Sequence, residues 1–178
     1  MEKPKKQTKA KEMKAEAPKD AAGPKRLAVV RVRGKVHLRR DIKETMEHLN
    51  LDAANHCVVV DARPQYLGMI RKAKDYITWG EIDAKTFKKL LEKRAGVPKD
   101  KKIEDLLKNA GYKTIDEFSD AFMDNKAGLA AISGLAQAFR LSPPKGGFER
   151  GGIKKPITLG GALGFRGKNI NKLIERMI

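Results

Sequence analysis

Two short apolar runs, at residues 27–33 and 56–60, constrain the fold more than any other feature of this sequence. The first is rich in Val and stops at Gly34, which predicts a strand, and the second is a strand that leaves no room for a polar face. Each run is followed by a segment with apolar residues at helical spacing, and a third predicted strand covers 76–79. The order predicts a β-α-β-α-β core over residues 26–82 and an α+β fold class.

From residue 83 the pattern becomes helical, and no further strand is expected before residue 140. Apolar residues recur at i, i+3 and i+4, and Thr114 followed by Glu117 fits a capping box at the start of one helix. The last predicted helix of this stretch rests on the apolar stripe formed by Leu129, Ile132, Leu135, Ala136 and Phe139. Residues 83–140 are therefore predicted to form a helical subdomain appended to the core.

The two terminal segments differ in what they can bury. Residues 1–25 hold eight Lys and no aromatic residue, so they are expected to be disordered in the free protein, either as a solvated tail or as a basic arm against phosphates. Residues 141–178 are expected to form a basic, Gly-rich loop and a C-terminal helix that packs back onto the core. That helix is predicted from about residue 169 to the end.

Net charge points to a polyanionic partner. The chain carries 39 Lys plus Arg against 22 Asp plus Glu, a formal charge of +17. Residues 26–178 alone retain 31 basic and 18 acidic side chains, so the charge belongs to the folded part and nucleic acid is the leading candidate.

Other chemistries find little support. One cysteine and three histidines offer no disulfide framework and no metal-ligand cluster, and no catalytic triad or paired carboxylates are evident. No cofactor, metal or small-molecule substrate is therefore expected. No apolar run is long enough for a membrane span, and no signal peptide is recognised, so we expect a soluble intracellular protein.

Basic residues beside turns and loops are the candidate RNA-binding set. Arg makes bidentate contacts with phosphate, Lys supplies point charge, and neighbouring glycines let the backbone approach closely. RNA is favoured over duplex DNA because no recognition helix stands out. The set is Arg31, Arg33, Lys35, His37, Arg39, Arg40, Arg63, Arg71, Lys72, Lys74, Lys145, Arg150, Lys154, Lys155, Arg166 and Lys168.

Several segments, taken together, resemble a known family. They are the runs at 27–34 and 56–60, the Gly68-Met-Ile-Arg-Lys72 stretch with the strand after it, the Ser142-Pro-Pro-Lys-Gly-Gly147 loop, and the helix at 170–177. In this order they resemble the large-subunit ribosomal proteins called L-thirty in bacteria and archaea and L-seven in eukaryotes. The helical stretch after residue 82 is similar to the long archaeal and eukaryotic form, and the short N-terminal extension favours an archaeal source.

The resemblance implies a fold, a function and a set of contacts. The fold would be a three-stranded antiparallel sheet in the order 3-1-2 with two helices on one face, similar to a ferredoxin-like fold. The function would be that of a structural constituent of the large (50S) ribosomal subunit in the cytoplasm, without catalytic activity. The implied partners are 23S-type rRNA, 5S rRNA and neighbouring large-subunit proteins.

The resemblance also implies which residues contact RNA, and it leaves an alternative function to be compared. It places RNA contacts at Lys35, His37, Arg39, Arg40, Arg63, Arg71, Lys72 and Lys74 and in the loop 145–155. Around Arg166 the chain departs from the eukaryotic pattern. A free RNA-binding factor outside the ribosome, or an RNA-modifying enzyme, is the alternative function.

Overall fold

A computed structural model describes residues 26–98 and 103–178, and the expectations for the tail at 1–25 lie outside the described residues. In chain order the strands and helices are β1 (Arg26–Arg31), α1 (Arg40–His48), β2 (His56–Asp61), α2 (Pro64–Lys72), β3 (Ile77–Glu81), α3 (Ala84–Arg94), α4 (Ile103–Asn109), α5 (Ile115–Met123), β4 (Ala138–Arg140), β5 (Gly164–Phe165) and α6 (Ile170–Met177). Short 3-10 turns lie at Leu129–Ala131, Ile157–Leu159 and Gly167–Asn169.

The strands form one mixed sheet in the order β4-β2-β1-β3-β5. The predicted neighbours are present, because β1 pairs antiparallel with both β2 and β3. The prediction of a three-stranded, wholly antiparallel sheet is wrong, however. Strand β4 extends the sheet beyond β2, and β5 adds a parallel partner to β3. Both added strands are only two or three residues long and pair with strands far away in sequence.

Side chains of β1 alternate between two apolar layers. Leu27 and Val29 pack with α1 and α2 on one face, whereas Ala28 and Val30 pack with α3 to α6 on the other. The strand is buried along its whole length, so the absence of a polar face in the sequence reflects a sheet covered on both sides. The helices after residue 82 therefore complete the core of the sheet.

The predicted helix across Leu129 to Phe139 does not form. A 3-10 turn at Leu129–Ala131 is followed by Gly134 in the left-handed region at φ +92° and then by strand β4. Phe139, fully buried, pairs with Cys57 of β2 and stacks edge-on against Phe87. Spacing alone suggested a helix, but the left-handed glycine ends any helix there and the strand satisfies the open edge of β2. The predicted cap at Thr114 forms, since its side chain accepts a hydrogen bond from the amide of Glu117. The Glu117 carboxylate accepts from the amide of Lys113, one residue before the position that a capping box requires.

Helix α6 lies directly on β3 because Gly80 has no side chain. A Cβ at this position would overlap the carbonyl oxygen of Gly167 and lie 2.9 Å from the Cβ of Ile170. Asn171 secures the same junction, because its Oδ1 accepts from the amide of Asp83 and its Nδ2 donates to the carbonyl of Glu81. The close approach of helix and strand fixes where the C-terminal helix lies on the sheet.

Replacement of Gly80 by Ala is expected to lower the free energy of unfolding by about 2–3 kcal/mol, because backbone must move to admit the methyl group. Gly68→Ala is the matched control, since Gly68 lies in the exposed part of α2 with no atom within 4 Å of an added Cβ. The control is expected to gain about 0.5–1 kcal/mol from helix propensity. Urea unfolding of both variants measures the difference, and equal stabilities would contradict this account of the junction.

Candidate nucleic-acid interface

One end of the sheet gathers basic loops from distant parts of the chain. Strand β1 finishes at this end, and β2 and β3 begin there, as the pairings of Val30 with Cys57 and of Arg31 with Ile77 show. We call this the basic end and include in it the loop 33–39, the last turn of α2 with the following turn to residue 76, and the loop 141–163.

The first two of these segments are joined by Arg33 and Tyr76. The amides of Val32 and Arg33 both donate to the carbonyl of Tyr76, at 3.0 and 3.2 Å. The Arg33 guanidinium stacks 4.6 Å from the Tyr76 ring centre and donates to the carbonyl of Asp75 at 3.1 Å. The loop that carries Lys35 and His37 is therefore tied to the segment that carries Arg71, Lys72 and Lys74, and all five side chains are exposed.

The loop 141–163 crosses the basic end from one edge of the sheet to the other. It leaves β4 with the amide of Leu141 donating to Asn55, just before β2, and it returns at β5 beside β3. At the end of the loop, Ala162 and Leu163 pack on Val32, immediately after β1. The carbonyl of Lys155 accepts from Leu163, so the basic part of the loop is held close to the end of β1. The exposed basic side chains of this loop are Lys145, Arg150, Lys154 and Lys155.

Two arginines from the body of the protein hold this loop in place. Arg166 forms a two-pronged ion pair with Glu149 and donates to the carbonyl of Ala162 at 3.1 Å and to Thr78 Oγ1 at 3.0 Å. The hydrogen bonds that Arg166 donates to Glu149 hold the pKa of the Glu149 carboxyl below its ordinary value. Arg176 of α6 donates to the carbonyls of Lys145, at 2.9 Å, and Gly147. Sequence reasoning missed Arg176, because nothing near it in the chain indicates a partner about 30 residues away.

Arg31 belongs to the predicted RNA-binding set, but its side chain is buried inside the protein. Its side chain is 2% exposed, and it donates to four backbone carbonyls. Those of Leu51, at 2.6 Å, and Asp52, at 3.2 Å, come before β2, and those of Arg33, at 2.9 Å, and Gly34, at 3.0 Å, follow β1. Burial lowers the pKa of the guanidinium from its ordinary value. Arg31 thus shapes the loops of the basic end without reaching their surface, and Arg166, 7% exposed, is likewise committed to Glu149.

The other predicted residues are distributed more widely. Arg63 precedes α2 and pairs with Asp61 at 3.2 Å, at the far end of β2. Arg39 and Arg40 lie at the start of α1 and are 79% and 92% exposed, each near a carboxylate of its own helix. Lys168 is exposed in the turn before α6. The structure therefore brings together at the basic end Arg33, Lys35, His37, Arg39, Arg71, Lys72, Lys74, Lys145, Arg150, Lys154 and Lys155, with Arg40 directly after the loop 33–39, and it separates Arg63 from them.

Other chemistry is sparse in residues 26–98 and 103–178. Within them no helix combines the length and apolarity needed to cross a membrane, and no three His, Cys, Asp or Glu side chains are placed to hold a metal ion. Burial raises the pKa of the Cys57 thiol to about 12. The thiol therefore stays protonated and packs as an apolar group.

A mixed α+β protein that presents cationic loops at one end of its sheet has the properties of a nucleic-acid-binding protein. Residues 27–77 match the family model described as ribosomal protein L30p/L7e. Over 149 residues the chain is 50% identical to the large ribosomal subunit protein uL30 of Methanopyrus kandleri, covering 83% of this chain and 100% of the relative. The corresponding proteins of Methanococcus vannielii and Nanoarchaeum equitans are each 43% identical over 152 residues, covering 85% of this chain and 98% and 97% of the relatives.

The chain therefore belongs to the L30p/L7e family of ribosomal proteins. This confirms the resemblance read from the sequence, including its similarity to the long archaeal form. The family is one of structural proteins rather than enzymes.

We expect Arg31→Met to lower the free energy of unfolding by about 2–4 kcal/mol, because buried carbonyls lose a charged donor. Arg39→Met removes an equally long cation that is largely exposed and should change stability by less than about 0.5 kcal/mol. Urea unfolding compares the two variants. Similar stabilities would refute the structural role of Arg31.

Glu149→Gln is expected to destabilise the protein by about 1 kcal/mol at pH 7 and to speed trypsin cleavage after Arg150, Lys154 and Lys155, because the pairing with Arg166 is lost. The carboxyl pKa is depressed in the folded protein, so this stabilisation is present above the unfolded value of about 4.3 and disappears as pH falls below it. The difference from wild type should therefore shrink below about pH 4. Glu44→Gln, which breaks only the exposed pair with Arg40, is the control. Equal cleavage rates in the two variants would contradict the idea that the Glu149–Arg166 pair holds the loop in place.

Proposed function

We propose that this chain, a structural constituent of the cytoplasmic large ribosomal subunit, binds folded large-subunit rRNA through the basic end. The observation that carries the proposal is the meeting of three basic segments, 33–39, 71–76 and 141–163, at one end of the sheet. The alternative of a free RNA-binding factor is not favoured by membership of a ribosomal family.

The physical support is electrostatic and geometric. Exposed Lys and Arg neutralise phosphates and release counterions, and the resulting affinity depends little on base sequence. The cations of the basic end project from loops and helix ends on a rigid sheet, an arrangement that suits an irregular folded RNA better than a duplex groove. The sheet thus acts as the rigid support, and the loops make the contacts.

Finer parts of the proposal concern particular partners and segments. We keep 5S rRNA as a proposed second RNA contact and neighbouring large-subunit proteins as partners. Neither catalysis, a cofactor nor a small-molecule substrate has a place in this function. The division into tail (1–25), core (26–82), helical subdomain (83–140) and C-terminal loop with helix (141–178) also stays a proposal. Crosslinking of this protein to RNA in purified large subunits tests the 5S contact. Crosslinks to 23S-type rRNA but none to 5S rRNA would refute it.

The main test compares two triple charge reversals in the full chain. Arg71→Glu, Lys72→Glu and Lys74→Glu reverse the exposed cations beside β3. Lys93→Glu, Lys108→Glu and Lys113→Glu change the net charge equally on exposed positions of the helical part, in or next to α3, α4 and α5. Filter binding to deproteinised large-subunit rRNA at 50 and 200 mM KCl gives the affinities, and circular dichroism confirms folding.

Wild-type affinity is expected to fall roughly a thousandfold between the two salt concentrations if about six phosphates are neutralised. The reversal at the basic end should weaken binding at least about 100-fold at 50 mM, because three counterion-releasing contacts become repulsive. The reversal on the helical part should stay within a few fold of wild type. Equal losses in both variants would mean that only net charge matters and would refute the basic end as the interface.

A further inference from the structure

An exposed aromatic side chain lies beside the basic end and is not explained by packing. Phe165 of β5 is 52% exposed. Its ring lies 6.4 Å from that of Trp79 on β3, with the two planes inclined at 47°. Trp79 packs with the apolar layer under α1 and α2, so it supports Phe165 from the protein side. The outer face of Phe165 is left to solvent.

Glycines on both sides keep the approach to this ring open. Gly164 and Gly167 have positive φ angles of +96° and +55°, which favour glycine. A Cβ placed at Gly167 would lie 3.9 Å from the edge of the Phe165 ring, so the missing side chain leaves that side of the ring uncovered. No side chain of these two neighbours therefore shields the ring, and a flat group can reach its face.

The position of the ring makes it continuous with the basic end. Phe165 pairs with Trp79, two residues along β3 from Ile77, a distance of about 7 Å. Trp79 faces the same side of the sheet as α2, whose last turn carries Arg71 and Lys72. The ring and the basic last turn of α2 therefore belong to the same side of the sheet.

We propose that Phe165, supported by Trp79, stacks against an unpaired base of the rRNA bound at the basic end. Aromatic stacking is the usual way in which proteins hold splayed-out bases, and one ring suffices for one base. The exposed Lys and Arg side chains of the basic end complement phosphate charge, which favours RNA as the occupant. This inference rests on the proposed function and adds a base contact to it.

Trp79 provides the readout, since it is the only tryptophan in the sequence. Full-length protein is titrated with deproteinised large-subunit rRNA while Trp79 emission and affinity are recorded. Wild type should show quenching on binding. Phe165→Leu keeps an apolar side chain but no aromatic face, and it should bind about fivefold or more weakly with reduced quenching. Phe165→Tyr keeps the face and should restore both, while unchanged thermal unfolding confirms that all three proteins are folded.

Several outcomes would overturn the proposal. Tight, salt-dependent binding without quenching, or a Phe165→Leu variant that behaves like wild type, would eliminate stacking and leave the phosphate interface intact. If Phe165→Leu binds rRNA normally but takes up a neighbouring ribosomal protein poorly, the ring serves a protein partner and base stacking is wrong. Weak, salt-independent binding by wild type would instead refute the proposed function itself.

Discussion

Strand β1 is buried from Arg26 to Arg31, and both faces of the sheet must therefore be covered by other parts of the chain. Helices α1 and α2 cover one face and α3 to α6 the other, so the strands themselves can meet a partner only at their edges and ends. The basic end is one of those ends, where the strands give way to loops that carry exposed cations.

The protein uses its arginines in two ways that the sequence does not distinguish. Arg26 is buried over the Phe122 ring and donates to the carbonyls of Phe122 and Ala127, while Arg31 and Arg166 bind carbonyls and a carboxylate near the basic end. Arg31 and Arg166 order the segments that carry the exposed cations, whereas Arg26 ties β1 to the end of α5. Lysine is poorly suited to such positions, because it lacks the planar fork that reaches several acceptors at once. Part of the positive charge that indicated a nucleic-acid partner therefore stabilises the fold and is not available to bind RNA.

The central fold could be predicted from the sequence because continuous apolar runs and helical spacing are local signals. The runs around Val29 and Val59 locate β1 and β2, and the stripes after them locate α1 and α2. The edge strands β4 and β5 could not be predicted, because strands of three and two residues have no periodicity and form only by pairing with distant partners.

The candidate site could likewise be predicted only in part, because the partners of its side chains are distant in sequence. Exposed Lys72 and buried Arg31 look alike in sequence, and the difference lies in carbonyls about 20 residues further along the chain. Family resemblance supplied the function, which charge alone had narrowed only to nucleic acid.

The course of loop 141–163 also orders events during synthesis. Residues 33–39 and 71–76 leave the translating ribosome early, but the loop and the Arg166 and Arg176 side chains that anchor it belong to the last fifth or so of the chain. The RNA-binding surface is therefore incomplete on the nascent chain and closes only after β5 and α6 have emerged and packed on β3. An incomplete protein carries fewer of the cations needed for tight binding, so the architecture favours the incorporation of finished molecules into the assembling subunit.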